Sequence, residues 1–392
     1  MAKQPESQMT ESEVSESKDV GSKGKVKKTA SSTRKKPLVK KVAKKRTATK
    51  KAVKKTSPAS PKSSSRASKS SKDNKKKATV LVTGAAGSLA RQVIKGLRKK
   101  YNIVAVDFRR QPKFDDSIPS YAGDMNKRQF EDIFRKHEID GVIHLGRMES
   151  NETTPERRYN ANVLGTQRLL NLCVDYKIQR VVVLSTFFVY GASPYNPALL
   201  NESAPLKAVG LTKDLVDSVE LENLANVFLW KHPDLNMTIL RPCHIAGPKV
   251  KNSMSLLLSR PVSPVLAGFS PMMQFVHLND MARAIELAFA KNVPGIYNIA
   301  PKEWMDYGAV LEAAGCRPFY IPSIPPAVPK LISRLMRWKA FPAFLIDYFK
   351  YSVVIDGSLF EDTFDYQPEY SLEDILGHYR TVKQRQSTTA RY

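Results

Sequence analysis

A short apolar strand that runs into a glycine turn and then into a helix constrains this chain more than any other feature. Ala78-Thr79-Val80-Leu81-Val82 is apolar and β-branched, as a strand buried on both faces of a parallel sheet requires. Thr83-Gly84-Ala85-Ala86-Gly87-Ser88-Leu89-Ala90 follows, and Arg91–Lys100 continues at helical spacing. Glycine at 84 and 87 permits a tight turn and a close approach of backbone to a ligand. Small Ala90 lets the helix pack near the strand, and the helix N-terminus presents unpaired amides to an anion. Ile103–Asp107 is a second buried strand, ending in an acid 23 residues after Gly84.

That spacing is the one at which a carboxylate accepts from the ribose hydroxyls of a dinucleotide. Strand, turn, helix and acid together predict a doubly wound α/β sheet with a dinucleotide across its carboxyl edge. Asp107 favours NAD, because the 2′-phosphate of NADP would meet its charge. Arg109 and Arg110 cut the other way and leave NADP as the alternative.

The residues before this strand are of another kind. Residues 1–77 carry a net charge of +19 out of +26 for the whole chain, and they contain no Phe, Tyr, Trp, Cys or His. Such a segment buries too little apolar surface to offset its ordering entropy, so a disordered tail is expected. After an acidic, Ser-rich patch (Glu6 to Asp19), Lys pairs recur at Lys35–Lys36, Lys40–Lys41, Lys44–Lys45 with Arg46, Lys50–Lys51 and Lys54–Lys55. Cations at this density bind nucleic acid without sequence preference by releasing condensed counterions. With no aromatic side chain to stack on bases, duplex backbone is the expected partner. Acidic lipid is the rival polyanion. Phosphorylation at Ser57-Pro58 or Ser60-Pro61 would weaken either. The stretch resembles linker-histone tails in composition over about 50 residues.

Cys173, Cys243 and Cys316 are sparse and follow no metal-ligand spacing, so no metal is expected and a reducing compartment is. There is no apolar leader at the N-terminus and no apolar run long enough to span a bilayer. The expected location is cytoplasmic, in association with nucleoid or chromatin.

Further segments extend the pattern. Gly123-Asp124-Met125 precedes a helix over Lys127–His137. Asp140-Gly141-Val142-Ile143-His144-Leu145-Gly146 is a fourth strand and its turn. Asn162-Val163-Leu164-Gly165-Thr166 sits in a long helix that ends near Tyr176. Arg180 to Gly191, including Leu184-Ser185-Thr186-Phe187-Phe188-Val189-Tyr190-Gly191, is a fifth strand and its exit. Thr238–Pro242, Phe275–Asp280 and Gly295–Ala300 follow as a strand, a helix start and a strand. In that order and spacing, residues 78 to about 375 resemble the extended short-chain dehydrogenases of the NAD-dependent epimerase/dehydratase family.

The resemblance implies a Rossmann doubly wound parallel sheet with a small C-terminal substrate subdomain, assembled here from about 191–211, 247–274 and 301–350. A C-terminal tail over 376–392 would follow. By resemblance, Gly84, Gly87, Ser88 and Leu89 lie under the pyrophosphate, and Asp107, with Arg109 beside it, at the adenosine ribose. Asp124 and Met125 flank the adenine, while Leu145, Gly146 and Arg147 pass beside the middle of the cofactor. Asn162 would bridge backbone near the fifth strand. For His277 and Asp280, loop packing and helix capping is the simpler expectation. A homodimer through the helices at Pro155–Tyr176 and Lys213–Lys231 is also implied.

The proton-transfer half departs from the family. The family uses Tyr-x-x-x-Lys on the helix after the fifth strand, with a Ser/Thr at the strand's end. Thr186, four residues before Tyr190, stands where the Ser/Thr belongs. Between Gly191 and Pro233 the one tyrosine is Tyr195, far too early for that helix. Counting back from Leu240-Arg241-Pro242 puts the Tyr position on Asp214 and the Lys position on Ser218. A second register sets Lys213 in the Lys place and Val209 in the Tyr place. Both lose the Tyr. General acid–base groups supply roughly 10²–10⁴ in rate, so the loss points to a catalytically impaired dinucleotide-binding protein. The alternatives are an active nucleotide-sugar epimerase, dehydratase or reductase using Thr186 with Asp214 as base, and an architectural nucleic-acid protein on a relic fold.

Toward the C-terminus, Leu331, Leu335 and Trp338 fall at helical spacing in an apolar segment, expected to cover the protein's own core rather than a membrane. Val353–Asp356 reads as a late strand, and residues after about 380 as frayed.

Overall fold

The structure is a computed structural model, and it describes residues 77–148, 154–322 and 344–389. The Lys-rich stretch up to residue 76, its Lys pairs, and Leu331, Leu335 and Trp338 lie outside the described residues.

The sheet begins with β1 (Thr79–Thr83), β2 (Asn102–Asp107), β3 (Ser120–Ala122), β4 (Gly141–His144), β5 (Val181–Leu184) and β6 (Met237–Pro242). Four short strands then lie outside it: β7 (His244–Ala246), β8 (Val262–Leu266), β9 (Met272–Met273) and β10 (Phe275–His277). The seventh strand of the sheet is β11 (Gly295–Ile299), and the order is β3-β2-β1-β4-β5-β6-β11. Every pairing in it is parallel. The order reverses between β1 and β4, and crevices at such switch points are where open α/β sheets take ligands.

Both faces of the sheet are covered, which is why its strands read as unbroken apolar runs. Helix α1 (Ser88–Leu97) buries Ala90, Val93, Ile94 and Leu97, a stripe spaced for one helix face. It shares one core with Val80, Val82, Ile143, Val182 and Leu240. On the opposite face Leu81, Val104, Val142 and Val183 pack with α2 (Arg128–Lys136) and with the long helix after β4. That long helix is interrupted: α3 (Pro155–Tyr159) runs into a π turn over Asn160–Leu164 before α4 (Gly165–Asp175). Such turns are frequent at functional sites, and this one carries the buried Asn162.

After β5 come α5 (Ala208–Leu211) and α6 (Val216–Lys231). Then follow α7 (Ser253–Leu258), α8 (Leu278–Lys291), β12 (Met305–Asp306), α9 (Tyr307–Ala313) and β13 (Arg317–Ile321). The short strands pair among themselves as β7 with β10, β8 with β13 and β9 with β12. The chain closes with α10 (Leu345–Tyr348), α11 (Ser358–Phe364) and α12 (Leu372–Thr389).

Two expectations change at the C-terminal end. Val353–Asp356 makes one bridge, Leu200 with Ile355, and no strand. The stretch from 376, expected as a tail that frays near 380, is the body of α12. Burial of Ile375, Leu376 and Tyr379 fixes it. The Tyr379 hydroxyl accepts from the Gly247 amide at 3.0 Å and donates to Ser255 Oγ at 2.8 Å. Lys383 adds a bond to the Ala314 carbonyl at 2.6 Å. These partners lie far off in sequence, so polarity alone misread the segment.

Among the described residues no helix is long and apolar enough to cross a membrane, and no group of three or more His, Cys, Asp or Glu could hold a metal ion. All three cysteines are buried and free.

Candidate functional site

The site is built at the switch point, from the glycine turn upward. Gly84 has φ +69, and a Cβ there would meet the Gly146 Cα and N at 2.7 Å. The position therefore needs glycine twice over, for its left-handed backbone and for the contact between the β1 turn and the β4 exit. The Gly87 amide bonds the Gly84 carbonyl at 2.9 Å, and the Ala85 amide bonds the Val106 carbonyl at 3.0 Å, so the turn is tied to itself and to β2. Helix α1 starts directly after Gly87, with no side-chain cap. Its first amides face outward as a partial positive charge.

Asp107 ends β2 and is buried at 1% exposure. One carboxylate oxygen accepts from the Ala86 amide at 3.1 Å, the other from the Arg109 amide at 2.9 Å. The Arg109 side chain lies 3.6 Å away. The carboxylate thus holds the glycine turn in shape.

Gly84, Gly87, Ser88, Leu89, Arg109, Leu145 and Arg147 line one open groove of about 1180 Å³. Arg91, Lys95, Arg110, Lys249 and Lys251 complete its basic rim. Met125 and Gly146 line a small crevice beside it, with Gly84, Phe108 and Arg147. Asp124 lines neither, and its carboxylate accepts from the Asn126 amide at 3.0 Å.

Beyond the groove, a chamber of about 180 Å³ opens at the ends of β5 and β6. Thr186, Asp214 and Ser218 line it together with Arg147, Arg158, Asp217, Ser185 and His244. Thr186 caps the short turn Phe187–Tyr190, its hydroxyl accepting from the Phe188 amide at 3.4 Å. The Ser218 hydroxyl is met by the Arg147 guanidinium from the β4 exit. Arg158 and Asp217 form a buried ion pair at 3.0 Å. Arg158 also donates to the Asp214 carbonyl at 2.9 Å. The other Asp217 oxygen accepts from Asn162 at 2.5 Å, and Asn162 grips the backbone N and O of Met148 at 2.8 and 2.9 Å. Asn162 thus bridges backbone at the β4 exit. The second register falls on Val209 and Lys213, whose side chains lie outside the described residues.

Other titratable groups are spent structurally. His144 links Thr83 at 2.7 Å to Thr166 at 2.9 Å, and burial pushes its pKa down to about 4. The Tyr190 hydroxyl accepts from Arg241 at 2.8 Å and donates to Asn298 at 2.7 Å, beside the buried pair Arg241–Glu222. His277 caps α8 and stacks on Tyr370 at 3.7 Å, while Asp280 accepts from the Glu369 and Tyr370 amides at 3.0 Å. Tyr195 is an exposed loop residue. Sequence reasoning missed Arg158, Asp217, Ser185 and His244. Asp217 adjoins the Lys position, but nothing in the sequence linked it to Arg158.

A sequence model of the NAD dependent epimerase/dehydratase family matches residues 80–300. The chain belongs to that family. Among characterised and uncharacterised relatives, an uncharacterised protein of Mycobacterium tuberculosis is 25% identical over 256 residues, covering 63% of this chain and 66% of the relative. UDP-glucose 4-epimerase of Yersinia enterocolitica is 30% identical over 179 residues, covering 42% and 52%. The chain spans less than two thirds of the length of these relatives. Among solved structures, dTDP-glucose 4,6-dehydratase of Bacillus anthracis, in complex with NAD, is similar at TM-score 0.63 and 16% identity, over 79% of this chain and 98% of that one. UDP-glucose 4-epimerase of Thermotoga maritima is similar at TM-score 0.62 and 17% identity, over 79% and 99%. These similarities establish the Rossmann fold.

Proposed function

We propose that this protein binds NAD across the glycine turn, that its proton-transfer chemistry is impaired, and that its Lys-rich N-terminal stretch binds nucleic acid. The observation that carries the cofactor reading is the open groove at the glycine turn, lined by Gly84, Gly87, Ser88 and Leu89. Amides of α1 and the basic rim supply the positive field for its phosphates. NAD, when bound, supplies a hydride acceptor. Leu145, Gly146 and Arg147 hold its middle, and Thr186 offers a hydroxyl to a substrate oxygen.

Impairment follows from what stands in the proton-transfer positions. In the first register Asp214 and Ser218 replace the family's Tyr and Lys, in the second Val209 stands for the Tyr, and Arg158 and Asp217 are committed to each other while Arg147 reaches Ser218. Turnover by an enzyme of this geometry rests on Thr186 and Asp214 alone. Titration of NAD, NADH, NADP and NADPH into the full chain tests the cofactor reading. Micromolar binding of NAD or NADH supports it, and no binding by any of the four ends it. A measurable epimerase or dehydratase turnover that Asp214→Asn abolishes would overturn impairment.

The nucleic-acid reading rests on the +19 charge of residues 1–77. It places the protein with the nucleoid or chromatin. The full chain should retard duplex DNA with a steep salt dependence, and the chain from residue 77 onward should not. Equal retardation by both would exclude the tail as the binding element.

The same reading includes a homodimer. Helix α6 packs on the π turn, and Leu164, Val227 and Trp230 of these segments are 41%, 57% and 81% exposed. A second copy would cover them. Light scattering should give a dimer for the chain and a monomer for Trp230→Glu.

A further inference from the structure

We propose that the chamber at the ends of β5 and β6 takes an uncharged, ring-bearing alcohol or carbonyl compound rather than a nucleotide sugar, with Ser185 and His244 making its polar contacts. As the substrate side of a dinucleotide site, this rests on the cofactor reading above.

One buried polar side chain in the chamber has no partner among the described residues. Ser185 is 4% exposed, and its hydroxyl has no hydrogen-bond partner. His244 is 8% exposed and lines the same chamber. A buried polar group left unmatched costs about 1–3 kcal/mol, so the Ser185 hydroxyl in this cavity marks where a ligand's polar group fits. The Thr186 hydroxyl, which accepts from the Phe188 amide, adds a donor to the same chamber. Burial pushes the His244 pKa down to about 3, so the imidazole is neutral and offers one donor and one acceptor.

The walls are aromatic. Phe187 meets His244 edge-on at 4.7 Å and Phe188 at 4.3 Å, and Phe188 meets Phe344 at 5.5 Å. A smaller crevice continues past His244 between Phe187, Met272, Met273, Tyr348 and Val353. No Lys or Arg lines that crevice among the described residues. The two guanidinium groups that line the chamber are engaged: Arg158 is paired with Asp217, and Arg147 reaches Ser218. A diphosphate buried against Phe and Met side chains would lack a counter-charge, which is prohibitive in so apolar a setting. The larger set of Lys and Arg side chains lines the groove, where the phosphates of a dinucleotide go. The chamber volume, about 180 Å³, lies below the ~300–1,000 Å³ of pockets for drug-sized ligands and suits one ring with a short polar arm.

The test is saturation-transfer NMR on the full chain, alone and with saturating NADH, using benzyl alcohol as probe and UDP-glucose as competitor. Benzyl alcohol should bind in both states. His244→Phe, which keeps the aromatic packing, should weaken it about tenfold, and His244→Gln should restore most of that. Ser185→Ala should weaken it while leaving Tm unchanged or higher, which a merely structural serine would not do. Absence of probe binding, equal binding by wild type and His244→Phe, or displacement by UDP-glucose overturns the proposal. Loss of NADH binding with His244-dependent probe binding retained would instead remove the cofactor reading and leave the ligand class standing.

Discussion

The Arg147 guanidinium, arriving from the exit of β4, donates to the Ser218 hydroxyl on α6. Of the two registers the sequence allows, the one counted back from Leu240-Arg241-Pro242 sets Ser218 in the place of the family's lysine. A fixed positive charge therefore enters this part of the site from another element. Guanidinium stays protonated at every pH of interest, so it can hold a ligand oxygen but cannot shuttle a proton.

Arg147→Gln should consequently weaken NADH binding about tenfold and leave AMP binding unchanged, because AMP lacks the half of the dinucleotide that reaches past β4. Calorimetric titration of both ligands decides this. An equal loss for both would mean that Arg147 acts on the glycine turn instead.

Gly84→Ala should abolish dinucleotide binding and lower Tm by several degrees. The added Cβ meets backbone at 2.7 Å in a conformation with φ +69. Neither neighbour is a side-chain tip that can swing away, so relief requires the β1 turn and the β4 exit to separate. Thermal melting with an NADH titration reads both effects.

Asp107→Asn should destabilise the chain by about 1–3 kcal/mol even without ligand, since an amide cannot accept at both oxygens from Ala86 and Arg109. A change confined to ligand affinity, with urea midpoint unmoved, would contradict the double role.

Breaking the buried pair by Arg158→Ala should cost about 3–5 kcal/mol, because Asp217 is left charged in the interior. The double variant Arg158→Met/Asp217→Leu should recover much of that. Urea unfolding of the two variants makes the comparison.

Acid should unfold the protein through its buried histidines. His144 and His244 have folded pKa values of about 4 and about 3, below the ordinary ~6.5. Between those values the unfolded chain takes up protons that the folded chain refuses. Stability is thus complete above pH ~6.5 and falls as pH drops, by about 1.4 kcal/mol per pH unit per histidine, until the folded pKa is reached. His144→Asn should flatten the slope between pH 6 and 4 in urea titrations.

Much of the fold was legible in the chain. The apolar strand into Gly84, the helix after Gly87 and the acid at Asp107 are short-range signals, written in periodicity and in backbone freedom. The ordered strand series out to Ile299 named the family, and the change in charge and aromatic content near residue 77 marked where the core begins. The end of the chain was less legible. Helix α12 looks polar enough to fray, yet Tyr379 and Lys383 anchor it to residues more than sixty positions away.

The site divides the same way. Sequence by itself determined that a dinucleotide-type turn is present and that the Tyr-x-x-x-Lys pair is missing. Only the tertiary structure decided what surrounds the gap: Arg147 on Ser218 across 71 residues, Arg158 on Asp217 across 59, and Ser185 left without a partner among the described residues in a chamber that His244 also lines. Backbone conformation is set largely by neighbours a few positions apart. Which charges meet, and which hydroxyls are left unmatched, depends on how distant elements stack, and that emerges only when the strands are laid side by side.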